Sequence, residues 1–158
     1  MSSFSFKSSG KTPVQKRAEV VLTSRQPIGI KTPLEIGDGT GSEILVTYDN
    51  FADVAHDNLK NLILTNWGER LGLYNFGSNL RPLLADFNSQ DNFDNEAISR
   101  IQNSVSKWMP FINLENFVSN IDNPYSKNSL VKVNVRITYS IPSIGISTRG
   151  LEVVLSAI

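Results

Sequence analysis

From Val131 to Ile141 apolar and polar residues alternate: Val131, Val133, Val135, Ile137, Tyr139 and Ile141 against Lys132, Asn134, Arg136, Thr138 and Ser140. A period of two predicts a strand with one face in the core and one in water. Ile112 and Leu114 begin another strand that runs to about Ile121, and Asn123-Pro124 reads as the turn after it. A loop over Pro142–Thr148, containing Gly145, should precede a last strand, Leu151–Ala157. Leu151, Val153, Leu155 and Ala157 share one face of that strand. Val154 and Ile158 lie on the other, interrupted by Glu152 and Ser156. After Glu152 this strand carries neither charge nor proline, the usual devices that stop an edge strand from pairing with strangers. It therefore reads as a site for strand addition at Leu151, Val153, Val154, Leu155 and Ile158, the alternative being a strand buried in mid-sheet.

Upstream the period is helical. Phe51, Ala55, Leu59, Leu62 and Ile63 make one apolar face, Asp49 or Asn50 is a candidate N-cap, and Asn66-Trp67-Gly68 ends the helix near Thr65. A short helix is expected near Leu80–Asp86. Asp94 is a candidate cap for a third helix, with Ile98, Ile101, Val105 and Trp108 as its stripe and Pro110 as its stop. Helices first and a meander afterwards make an α+β domain: N-terminal helices packed on a small antiparallel or mixed C-terminal sheet. Ahead of it, residues 1–42 form an extended arm punctuated by Pro13, Pro27 and Pro33. Extended pieces are expected at Ala18–Leu22 and Ile28–Ile30, and a short strand at Glu43–Tyr48 begins the domain, 43–158.

The 158 residues suit a single core. Fifteen basic and fifteen acidic residues leave no global field toward nucleic acid or anionic lipid. The arm is the exception. Lys7, Lys11, Lys16, Arg17 and Arg25 against Glu19 give its first 25 residues a charge of five minus one, +4. With so little apolar content the arm is expected to order only on an acidic partner surface. The absence of cysteine excludes disulfides, thiolate metal sites and cysteine nucleophiles. No apolar run is long enough to span a membrane, and no signal peptide is visible.

Candidate chemistry is thin. His56 is the single histidine and reads as a solvated helix residue, with no GxSxG elbow to make it part of a triad. Gly37-Asp38-Gly39-Thr40-Gly41 lacks phosphate-loop spacing and reads as a turn. Asp86, Asp91 and Asp94 lack the glycine and terminal glutamate of a calcium loop. Glu43, Asp49, Glu69 and Glu96 are the carboxylates to weigh for glycoside hydrolysis. Glu69 adjoins Arg70, which would lower its pKa, the opposite of what a general acid needs, so the two read as a pair fixing a turn. No cofactor or metal is expected.

One ordered set of motifs goes further. Asn58-Leu59-Lys60-Asn61-Leu62-Ile63-Leu64-Thr65, then Gly68-Glu69-Arg70, then Asn75-Phe76-Gly77-Ser78-Asn79-Leu80-Arg81 and Leu83-Leu84 resembles the GPW/gene 25-like family of baseplate wedge proteins. That family belongs to contractile-tailed phages and to related secretion and tailocin machines, and the resemblance covers about residues 43–158. It implies a structural, non-enzymatic subunit of the virion's tail baseplate, assembled in the host cytoplasm. Such a subunit joins the wedge's helical bundle to the first sheath ring and nucleates sheath assembly. Its implied partners are other wedge proteins, the sheath subunit and the tail tube or hub. Gly68, Glu69, Arg70, Phe76 and Gly77 would form a structural turn. Where the family carries Glu-Pro-Arg after its long helix, this chain has Met109-Pro110-Phe111. With Trp108, these residues are expected to present an apolar dock to a wedge neighbour, the alternative being that they cover the protein's own core. Two rival classes are a tail-associated peptidoglycan hydrolase and a regulatory binding module on the same fold.

Overall fold

Asn50 sits in extended backbone (φ −117°, ψ 124°), and its side chain accepts the amide of Ala52 at 3.0 Å; this caps helix α1, Phe51–Leu64, in the computed structural model. The structure describes residues 10, 12–14, 16, 27–37, 44–86, 90–122 and 132–156. The expectations for Ala18–Leu22, most of the 37–41 turn, Asn123-Pro124, Val131, Ala157 and Ile158 lie outside them.

The chain divides into two compact units, Met1–Asp49 and Asn50–Ile158. In the first, the extended piece expected at Ile28–Ile30 pairs with the strand expected at Glu43–Tyr48. Strands β1 (Gly29–Ile30) and β2 (Thr47–Tyr48) run antiparallel, and Ile36 bridges Leu45. No described residue of this unit is buried, because two-residue strands cannot enclose a core.

In the second unit α1 ends where Thr65 turns extended (φ −80°, ψ 132°). Helix α2 is Arg81–Ala85, and α3 is Gln90–Trp108. The sheet consists of β3 (Asn113–Asp122), β4 (Lys132–Ile141) and β5 (Ile146–Ser156), antiparallel in the order β3-β4-β5. The fold is α+β, as the periodicity predicts. The helices pack on one face of the sheet. Ala55, Leu59, Leu62 and Ile63 of α1 and Phe93, Ala97, Ile101 and Val105 of α3 meet Val133, Val135, Ile137, Tyr139 and Ile141 of β4 and Leu151, Val153 and Leu155 of β5. Arg136 and Glu152 pair on the opposite, solvated face.

Two boundaries differ from the pattern. Helix α3 begins at Gln90, four residues before Asp94. The Asp94 carboxylate instead accepts the Ser119 hydroxyl of β3, and Phe93 enters the core, so the buried stripe is rotated by about one residue from Ile98 toward Ala97. Strand β5 begins at Ile146, well before Leu151. The turn Pro142–Ile144 ends at Gly145 with φ 73°, a left-handed backbone that glycine adopts freely, and Ile146 pairs straight back with Ile141. Ser147, Thr148, Arg149 and Gly150 carry no apolar alternation, and that hides the first half of the strand from the sequence pattern.

Candidate interaction surfaces

The connection from α1 to α2 is a knot of backbone contacts around Gly77. That glycine has φ 108°, and a Cβ added to it would lie 2.1 Å from the Thr65 carbonyl oxygen. Its own carbonyl accepts Trp67 Nε1 at 3.1 Å and the buried Ser104 hydroxyl at 2.9 Å. Beside it Ser78 N donates to Leu62 O at 3.0 Å, and Arg100 Nη1 donates to Asn79 O at 2.7 Å. These bonds tie the end of α1 to the last turns of α3. Glu69 does not pair with Arg70. Its carboxylate accepts Asn66 N at 2.8 Å and Asn66 Nδ2 at 2.9 Å, and those two bonds, side-chain first, hold its pKa below the usual carboxylate value. Arg81 Nη1 is 3.8 Å away. Arg70 lies instead over the Phe76 ring, 4.2 Å from its centroid. A cation–π contact of this kind leaves no mark in the sequence beyond an arginine and a phenylalanine six apart.

At the end of α3 the expected apolar dock breaks up. Met109 is 7% exposed and belongs to the core, and Trp108 is half-buried against Phe76, with ring centroids 5.3 Å apart. Met109 N donates to Val105 O and Ile112 N to Met109 O, which turns the methionine inward. Pro110 and Phe111 remain at the surface, and the Phe111 ring packs against Phe51, with centroids 5.7 Å apart. Met109 thus covers the protein's own core, and the exposed apolar surface of this turn comes from Pro110 and Phe111.

His56 is not simply solvated. Its Nδ1 lies 2.9 Å from the hydroxyl of the buried Tyr139, and Arg149 of β5 pairs with Asp53 one turn earlier at 2.7 Å. Burial, then the charge of Arg149, lowers the His56 pKa; Lys60 adds to this, while Asp57 and Asp53 oppose it. The folded chain therefore takes up this proton less readily than the unfolded chain, whose histidine titrates near ~6.5. The resulting stability is complete above that pH and is lost as pH falls through the lowered folded value. Between pH 7 and 5 the melting temperature of His56→Gln is expected to fall less than that of the wild type. Equal slopes in thermal melts across this range would refute the assignment.

Strand β5 has β4 on one side and no strand on the other among the described residues. Leu151, Val153 and Leu155 are buried, and Val154 is 62% exposed. Its register with β4 is regular from Ser156 to Arg149 and shifts between Tyr139 and Ile141; β3, the other edge, is regular from Asn116 to Asp122 and shifts between Leu114 and Asn116. A cleft of about 90 Å³ opens at the end of β5 between Leu64, Leu84 and Val154.

The unit is thus a helix-backed antiparallel meander with two edge strands and a hydrogen-bonded interhelical loop. Solved structures share this fold. One is a Geobacter sulfurreducens protein provisionally named a tail lysozyme, with a TM-score of 0.53 and 13% identity over 72% of this chain and 96% of that one. Another comes from the baseplate of the anti-feeding prophage, seen by six-fold symmetrised electron cryo-microscopy, with a TM-score of 0.50 and 17% identity over 82% of this chain and 84% of that one. No family model and no curated protein matches the sequence. No helix among the described residues is long and apolar enough to cross a membrane, and none of their acidic and histidine side chains cluster as a metal site.

Proposed function

We propose that this protein is a structural subunit of a contractile tail baseplate, linking the wedge to the first sheath ring. The observation that carries the reading is the fold held in common with a baseplate chain over most of both lengths. In this reading the partners are other wedge proteins and the sheath subunit, with the tail tube or hub as a further neighbour. The subunit turns nothing over and needs no cofactor. The +4 charge of residues 1–25 suits an acidic neighbour. An extended segment of a sheath subunit adds to β5, where its main chain bonds to the open edge and its side chains meet Val154 and the cleft beyond. Edge β5 is favoured over β3 because the cleft at its end gives the incoming side chains a place to sit.

A cell-wall hydrolase is the second reading, favoured by the provisional name of the Geobacter protein. Glu69 speaks against it. A general acid requires a raised pKa, and the Asn66 bonds lower this one.

The test uses Val154→Lys, which places a charge on an exposed strand position. The variant is expected to melt like the wild type and to enter baseplates, yet to start no sheath. Full-length sheath on such baseplates would remove strand addition at β5. Absence of the wild-type chain from purified baseplates would remove the wedge assignment. Lysis of cell walls by the purified protein, abolished by Glu69→Gln, would establish the hydrolase instead.

A further inference from the structure

The loop between α1 and α2 carries an apolar surface that the core does not use. Trp67 is 58% exposed, Leu71 95%, Leu73 42% and Tyr74 69%. Single exposed leucines are ordinary, but four large apolar residues within eight positions are not. The loop is also held in shape. Gly68 N donates to Tyr74 O at 2.8 Å and closes it, and Leu73 N donates to Arg70 O at 3.2 Å within it. Gly68 and Gly72 have φ 86° and 80°, and a Cβ at either would meet nothing within 4 Å. These glycines therefore serve the path of the chain and not its packing. A loop already fixed in shape loses little conformational freedom on binding, and tryptophan and tyrosine are the residues that most often anchor interfaces.

Charge narrows the choice of partner. From Arg70 a chain of ring contacts runs through Phe76 and Trp108 to Lys107, whose Nζ lies 4.9 Å from the Trp108 centroid. Among the described residues neither Arg70 nor Lys107 pairs with a carboxylate. The loop's own acid, Glu69, is taken up by Asn66 and has Arg81 at 3.8 Å. Beside the apolar tip stand Arg70 and Arg81 against one engaged carboxylate, and Lys107 adds a third cation two rings further on, over Trp108. A second copy of this chain would bring like charges against that border. A tip whose outermost side chain is almost wholly exposed fits a recess better than a flat face.

We propose that the Trp67–Tyr74 loop is a plug, seating Leu71 and the two aromatic rings in an apolar recess rimmed by Asp and Glu on another subunit of the assembly. The proposal rests on the baseplate reading and adds a contact separate from β5 and from Phe111. It is tested by placing a photoreactive benzoyl-phenylalanine at Leu71 and irradiating assembled tails. The expected result is one adduct with a different tail subunit, on a surface bordered by acidic residues. Leu71→Asp and Lys107→Glu are expected to melt like the wild type and to enter baseplates about tenfold less well, equivalent to about 1.4 kcal/mol. Four outcomes overturn the plug alone: baseplates that contain the subunit but give no Leu71 adduct, an adduct with a second copy of this chain, an adduct on a basic surface, and wild-type incorporation of both variants. Baseplates lacking the wild-type chain overturn the wedge reading and the plug with it.

Discussion

Gly77→Ala is expected to lower stability by at least about 4 kcal/mol, within the range reserved for disrupted cores and strained backbones. Two effects add. The backbone at φ 108° is one that L side chains rarely adopt, and the new methyl would lie 2.1 Å from the Thr65 oxygen and 2.7 Å from its carbon. Those are backbone atoms at the end of α1, so relief requires moving the helix end. Such movement also disturbs the bonds from Trp67 Nε1 and Ser104 Oγ to the Gly77 carbonyl. Gly72→Ala provides the contrast, because its Cβ would enter open space and only backbone strain of about 1–2 kcal/mol remains. Urea denaturation of the two variants checks this. Equal losses would show that the approach to Thr65 is relieved at no cost.

Tyr139→Ala should destabilise by about 3–5 kcal/mol, the usual penalty for emptying a buried aromatic site. Tyr139 is the largest fully buried side chain described and lies beside His56 of α1. Tyr139→Phe separates the ring from its hydroxyl. It keeps the packing and removes the partner of His56 Nδ1, for an expected loss of about 1 kcal/mol. Denaturant titration distinguishes the two. A Phe variant as unstable as the Ala variant would place most of the energy in the hydrogen bond.

What was legible from the sequence was whatever periodicity encodes. Residues 131–141 announce β4, and of the α1 face expected from spacing Ala55, Leu59, Leu62 and Ile63 are buried while Phe51, in the first turn, is exposed. Surfaces were harder to read. Met109 next to Pro110 resembles an exposed turn residue until Met109 N bonds back to Val105 O and the side chain swings inward. What receives the side chain is a core drawn from distant elements, which no local pattern marks. His56 looks like any polar helix residue, since its partner Tyr139 is 83 positions away. The stretch Trp67–Tyr74 has no period of two or of 3.6, so its apolar residues assign it to no face. The signal that was present is apolar content without a period, bracketed by Gly68 and Gly72, which marks a loop able to show those side chains to solvent.

The open side of β5 has a bearing on the free chain, ahead of the assembly proposed for it. An edge able to accept one strand accepts others, including the same edge of a second copy. Among its residues Arg149 and Glu152 are the charges that stand in the way, and both already have partners in Asp53 and Arg136. The free chain is therefore most exposed to aggregation while it waits, and this hazard grows with concentration. Strand addition there, as proposed, would protect it by occupying the edge, so that solubility would become a matter of matched supply between this chain and the strand that caps it.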